Sequence, residues 1–304
     1  MLLETIYRQK LDLLKSVLAD FKSLDLQPKI GIELEFYLEN ANKQLVSDFI
    51  LQLKSAIQKE NIDILDIEPE QGFGQIEVKT APYCDLELLC QDIIKIKTAA
   101  YRLAQSLNCK VNFSSQPYQY DCGSSLQVNF SLIDSQNNFL FIKNNEVESI
   151  HLLNSVANLL KFTNNIMIIF APEAQDYLRF DLELNKNLHK NKKYTAPVNI
   201  SWGYENRTAL IRIPTVKHSS QRRLEFRLAA SNADIYLVIT FFLLIVLDAI
   251  NSNIEPMLPI YGNTFDEKYQ LEILPQNYQI AQNYFFTENR VLEKIKQKLS
   301  FVSN

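Results

Sequence analysis

Glu33 and Glu35 stand two residues apart in the run GIELEFYL (31–38). Around them Ile30, Ile32, Leu34, Phe36 and Leu38 alternate with Gly31, Glu33, Glu35 and Tyr37. A two-residue period belongs to a half-buried strand, and side chains at i and i+2 share a face. One face is therefore apolar, and the other carries two carboxylates side by side. Like charges that close raise each other's pKa or recruit a cation. The pattern suits a metal site or an acid–base site, although two glutamates on a solvent-facing strand edge would look the same.

Three further segments repeat the arrangement. EQGFGQIE (70–77) places Glu70 and Glu77 on the two arms of a hairpin, with Gly72 and Gly74 at its turn. In its outgoing arm Gln75, Glu77 and Lys79 oppose Ile76 and Val78. Ser125, Gln127, Asn129 and Ser131 oppose Leu126, Val128, Phe130 and Leu132, and Arg223, Glu225 and Arg227 oppose Leu224, Phe226 and Leu228. A front of glutamate, arginine and uncharged amides suits a lined cavity better than a wet surface. Five acids (Glu33, Glu35, Glu70, Glu77, Glu225) crowded on one concave face call for hard divalent cations such as Mg²⁺ or Mn²⁺. Arg207, Arg212, Arg223 and Arg227 would supply planar forks for phosphate or carboxylate. Metals beside arginines point to phosphoryl transfer, which is mostly positioning and charge neutralisation.

The elements that must position these residues are mixed. Helices are expected near 4–24, 45–60, 85–107, 146–169, 232–252 and 278–300. Strands are expected at 29–38, in a hairpin over 62–79, and near 109–114, 124–133, 197–203, 208–214 and 222–228. The stretch 171–195, rich in lysine and asparagine, reads as irregular. Consecutive strands without βαβ alternation argue for an α+β fold, a curved and mainly antiparallel sheet backed by helices. No linker or repeat divides the chain, so 1–304 reads as one domain.

Composition narrows the function classes. The chain has 304 residues, 47% of them hydrophobic, enough for a large core, and a net charge of −4 that leaves no footprint for nucleic acid. Cys84, Cys90, Cys109 and Cys122 show no metal-type spacing. With no signal-peptide pattern at the start, they read as reduced thiols of a cytoplasmic protein. The apolar run 235–247 is bounded by Asp234 and Asp248 and falls short of the roughly 18 residues that span a bilayer. It reads as a buried core helix rather than a membrane span. His151, His189 and His218 read as surface or helix-end residues, and Trp202 as packing.

Taken in order, these motifs resemble the catalytic domain of glutamine synthetase and the related γ-glutamylamine ligases. GIELEFYL and EQGFGQIE resemble the family's two metal strands. GSSLQVNFSL (123–132) is similar to its Gly-Ser-Gly-Met-His-x-His-x-Ser-Leu segment. APVNISWGYENRTALIRIP (196–214) and RRLEFRLAASNADIYL (222–237) are similar to its arginine strands. The resemblance implies that Glu35, Glu70 and Glu77 hold a first metal ion. Glu33 and Glu225, with Gln127 at the family's metal-binding histidine, would hold a second that bridges ATP phosphates. It implies that Arg179 and Arg227 face the substrate carboxylate, and that Arg207 stabilises the phosphoryl group in flight. Arg212 and Arg223 would hold nucleotide phosphates, Gly123 would line the glutamate pocket, and Ser131 and Asn129 would lie near ATP.

The implied reaction is ATP-dependent formation of a γ-glutamyl amide from glutamate and ammonia or a small primary amine, through γ-glutamyl phosphate. Departures are specific. Asn129 replaces a second histidine, Thr195 replaces the flap glutamate, Asp234 and Ile235 replace an Asn-Pro pair, and the loop before Ala196 is longer. The family's N-terminal β-grasp domain is expected to be absent. A homo-oligomer or a partner chain would then supply that lobe. Two other readings remain open. One is a degenerate relative that binds nucleotide or a protein partner without turnover, and the other is a phosphoryl transferase lacking the amine step.

Overall fold

The computed structural model describes residues 1–145, 147–250, 254–287 and 290–302. The chain opens with α1 (Leu2–Arg8) and α2 (Lys10–Ser23), then enters the long strand β1 (Leu26–Glu39). Helix α3 (Lys43–Lys59) leads to the hairpin of β2 (Ile64–Pro69) and β3 (Gln75–Thr80). Helix α4 (Leu86–Ser106) is followed by β4 (Lys110–Asn112), β5 (Leu126–Asp134) and α5 (Ile150–Phe170). A 3₁₀ turn, Ala174–Phe180, runs into α6 (Leu182–Lys190). Three short strands follow: β6 (Trp202–Tyr204), β7 (Ile211–Ile213) and β8 (Leu224–Phe226). Helices α7 (Ile235–Ile250), α8 (Tyr278–Phe286) and α9 (Arg290–Val302) complete the described chain.

The strands form one sheet in the order β2-β3-β1-β5-β8-β7-β6, with β4 also paired to β1. All pairings are antiparallel except β6 with β7. The apolar face of β1 is fully buried at Ile30, Leu34 and Phe36. Phe36 packs against Phe49 of α3 at 6.2 Å between ring centroids, and Phe130 and Phe226 meet Phe242 of α7 at 5.2 and 5.8 Å. Burying rings of this size dominates core energetics. The helices thus cover one face of the sheet and leave the polar face to the site. Helix α7 is buried on nearly every side, and no helix among the described residues is long and apolar enough to cross a membrane.

Three sequence expectations need correction. The stretch 171–195 is irregular only at its ends, because residues 174–180 and 182–190 are helical. Glu173 and Asp176 form a capping box on the 3₁₀ turn, and the Asp181 side chain accepts from the Leu184 backbone N–H to start α6. The last three strands are not all antiparallel neighbours. Between β6 and β7 the Asn206 side chain accepts from the Thr208 N–H and donates to the Ile260 and Gly262 carbonyls. That anchored loop returns the chain beside β6 in parallel register. The C-terminal helix expected over 278–300 stops at Phe286, where Thr287 turns extended (ψ 150°). The expected helix start at 146, the helix end at 251–252 and the continuity through 288–289 lie outside the described residues.

Candidate active site

Strand register brings the acids together. Glu35 pairs with Glu77 across β1 and β3, Glu33 with Gln127 across β1 and β5, and Glu68 with Glu77 across β2 and β3. Glu70 sits beyond β2, on the turn. That turn is pinned by Gln75, whose Oε1 accepts from the Gly72 N–H at 2.9 Å and whose Nε2 donates to the Gly123 carbonyl at 3.0 Å. Gly74 has φ +84°, and a Cβ there would stand 2.7 Å from the Leu38 carbonyl oxygen. Only glycine takes that conformation without strain.

The result is a cavity of about 800 Å³ on the polar face of the sheet. Its lining includes Glu33, Glu35, Glu70, Glu77, Gly123, Gln127, Asn129 and Ser131, and also Arg179, Arg207, Arg212, Arg223 and Arg227. Of the residues singled out from the sequence, Glu225 alone is not part of the lining. It lies behind the cavity wall, 3% exposed, with Arg212 at 2.6 Å and Arg227 at 3.3 Å from its carboxylate. The alternation of β8 put Glu225 on the right face, but the two arginines cover it.

Three of the four carboxylates are held from the side. Glu35 accepts from the Ser125 N–H and from the Gln127 amide, both at 2.8 Å, and Glu33 accepts from the Asn129 amide at 3.1 Å. Glu77 meets the Lys79 ammonium at 2.8 Å, and the same ammonium bonds Glu68. Burial, reinforced by neighbouring carboxylates, pushes Glu70 up to about 7 and Glu77 up to about 9. Burial also raises Glu33, with Glu225 adding to it, and raises Glu35 against the opposing pull of Arg179. Burial pulls the Lys79 ammonium down, but its bonds to Glu68 and Glu77 outweigh that and its pKa is raised.

Among the described residues, no three His, Cys, Asp or Glu side chains stand as a ready metal-ligand set. The chemistry of the donors nonetheless fits a hard cation. Four carboxylates in one cavity, each raised in pKa, form an all-oxygen set whose mutual repulsion a divalent ion would relieve.

Arg212 is paired with Glu205 and Glu225, and the other four arginines fall into two groups. Arg179 donates to the carbonyls of Arg227 and Leu228 at 2.9 Å each. Arg227 donates to those of Thr195 at 2.9 Å and Ala209 at 3.0 Å. These two cross-tie the backbone beneath the cavity and are 3% and 6% exposed. Arg207 lies 4.6 Å above the Tyr194 ring, and Arg223 Nε donates to the side-chain Oδ1 of Asn129 at 2.8 Å. Neither has an ion pair among the described residues, so both keep donors for a ligand.

Sequence reasoning missed Lys79 as a participant, although its place two residues after Glu77 on a strand put it on the same face. It also missed Tyr194 and the wall built from Thr215, Ser220 and Gln221. These come from loops and a single 3₁₀ turn, where no periodicity marks which side chains turn inward.

A family model described as glutamine synthetase, catalytic domain, matches residues 39–300. The chain is 26% identical to the glutamine synthetase of Clostridium saccharobutylicum, over 92% of this chain and 67% of the relative. It is 21% identical to the gamma-glutamylputrescine synthetase PuuA of Escherichia coli, over 80% and 55%. It is 28% identical to the glutamine synthetase of Pyrococcus horikoshii, over 87% and 62%. The chain therefore spans about two thirds of the length of the first relative and less of the other two. Among solved structures, apo GmaS superposes with a TM-score of 0.79 at 20% identity, covering 95% of this chain and 70% of that one. Plasmodium falciparum glutamine synthetase superposes with a TM-score of 0.78 at 16% identity, covering 96% and 75%. At these identities the superpositions establish the fold, a mixed sheet backed by helices as in glutamine synthetase catalytic domains. With the family model covering most of its length, the chain belongs to the glutamine synthetase catalytic-domain family.

Proposed function

We propose that the chain is an ATP-dependent ligase that joins the γ-carboxylate of glutamate to ammonia or a small primary amine. The observation that carries this reading is the cavity in which four glutamates, Glu35 and Glu77 buried and Glu33 and Glu70 partly exposed, face five arginine side chains. A site with both charges suits a substrate that brings metal-associated phosphates and a carboxylate together. In the first step a γ-carboxylate oxygen of glutamate attacks the γ-phosphorus of ATP, and ADP leaves with the bonding electrons. In the second the amine nitrogen attacks the acyl carbon, phosphate leaves, and the nitrogen loses a proton.

The residues divide this work. Glu35, Glu70 and Glu77 would hold one divalent ion, Mg²⁺ or Mn²⁺. Glu33, Gln127 and Glu225 would hold a second, once Glu225 is freed from Arg212. Bound there, the ions supply positive charge against the nucleotide phosphates. Arg207, without a carboxylate partner among the described residues, faces the phosphoryl group. Arg212 and Arg223, with Ser131 and Asn129, hold the nucleotide end. Arg179 and Arg227 shape the glutamate pocket with Gly123, where a Cβ would press within 2.8 Å of the Arg179 side chain.

One observation favours a second reading, a fold that binds nucleotide without turnover. Arg179 and Arg227 spend several N–H groups on backbone carbonyls rather than offering them to a substrate. A single assay separates the two. The protein is incubated with glutamate, ATP, Mg²⁺ or Mn²⁺ and hydroxylamine. γ-Glutamyl hydroxamate that disappears in Arg207→Ala and Glu77→Ala supports the ligase. Nucleotide binding with no product supports the second reading, and ADP release without hydroxamate supports a phosphoryl transferase.

A further inference from the structure

Resting on the reading that the cavity takes divalent ions, we propose that Lys79 is a tethered internal cation that excludes one of them until it moves aside. Lys79 is the register partner of Glu33 across β1 and β3, and its ammonium stands 2.8 Å from the Glu77 carboxylate. It also bonds Glu68, which lies opposite Glu77 on β2. The ammonium thus already supplies part of the neutralisation that the buried acids demand. An ion entering at Glu77 meets a like charge on a four-carbon stem, within a cavity where screening is weak.

The same geometry gives Lys79 a second resting place. Glu68 is 42% exposed at its side chain, whereas Glu77 is only 6% exposed. Rotation of the lysine stem toward Glu68 would leave Glu77 open while the ammonium stays paired. Lys79 is therefore a positioning residue, acting on the ion sites through Glu77. The nucleotide-free protein should accept one divalent ion readily and a second only weakly. An anionic ligand such as ATP, by bringing charge of its own, would favour the second.

The test counts bound Mn²⁺ by the electron paramagnetic resonance signal of the free ion, without nucleotide, in wild type, Lys79→Met and Lys79→Arg. Lys79→Met is expected to bind its second ion about 10–100-fold more tightly than wild type, the range by which residues around ligands tune affinity. Lys79→Arg, which keeps the charge, is expected to behave as wild type. Far-UV circular dichroism checks folding, and Lys79→Gln replaces the methionine variant if that fails to fold. Equal affinities and equal ion counts in wild type and the neutral variants overturn the proposal while leaving the metal site intact. No Mn²⁺ bound by any variant overturns both it and the metal reading on which it rests.

Discussion

Glu35 of β1 lies directly opposite Glu77 of β3 in the antiparallel register. Both side chains are buried, at 6% and 4% exposure. Like charges directly opposite one another destabilise a sheet. A sheet optimised for stability alone would not place two buried acids in that relation, nor set Glu68 opposite Glu77 on the other side. The register concentrates negative charge where the cavity opens, and Lys79 is the countercharge provided within the chain.

Replacing one member of that pair separates stability from ion binding. Glu77→Gln keeps the shape and removes the repulsion with Glu33 and Glu35. Its melting temperature without metal should equal or exceed that of wild type. The rise in melting temperature on adding Mn²⁺, which reports binding to the folded state, should shrink. Differential scanning calorimetry checks both. A variant that melts well below wild type, yet responds to Mn²⁺ as wild type does, would remove Glu77 from the site.

Glu225 should behave in the opposite way. It is the buried counter-ion of Arg212 and Arg227. Removing one partner of a buried pair leaves an uncompensated charge and costs about 3–5 kcal/mol. Glu225→Ala should lose stability on that scale in urea unfolding, and Glu225→Gln, which keeps an acceptor, should lose less. Unchanged midpoints in both variants would show that the arginines find other partners.

Gly74 holds the turn that presents Glu70. Its φ of +84° and the nearby Leu38 carbonyl oxygen leave no room for a side chain. Gly74→Ala should cost about 1–3 kcal/mol through backbone strain. It should also weaken Mn²⁺ binding, because the turn moves Glu70 with it. Full stability together with full ion affinity would mean that the turn relaxes freely.

A pH prediction comes from outside the acid cluster. Lys97 of α4 donates to the Ser231 carbonyl at 2.6 Å, and its ammonium lies 5.4 Å from the centroid of the Phe113 ring. Burial pushes its pKa down to about 8, with Asp234 opposing. The unfolded chain holds this proton more tightly than the native chain. The penalty for folding is therefore fully present below about pH 8 and is relieved as pH rises toward the ordinary lysine value. Relative to wild type, Lys97→Met should be more stable at pH 7 than at pH 10. Urea midpoints at the two pH values measure the difference, and a gap that does not narrow with rising pH would contradict the shift.

The strands β1, β3, β5 and β8, and the face on which each polar side chain lies, were legible from residue order alone. Apolar alternation reports the local backbone period, and the fourfold repetition of an apolar back with a polar front assigned Glu33, Glu35, Glu77, Gln127, Asn129 and Arg223 to the face that lines the cavity. The buried helix α7 was legible too, because an apolar run too short to span a bilayer must be covered by packing. Helix α6 was obscured because its helical signal is one capping aspartate and two buried positions, Asn185 and Leu188, in a polar stretch. The pairings emerged with the folded sheet: Glu225 is covered by Arg212 and Arg227, Arg179 and Arg227 bind backbone carbonyls, and Lys79 reaches both Glu68 and Glu77. Which face a residue takes depends on its immediate neighbours. Which charge it meets depends on register between distant strands and on loops that carry no period, and that is fixed only when the sheet assembles.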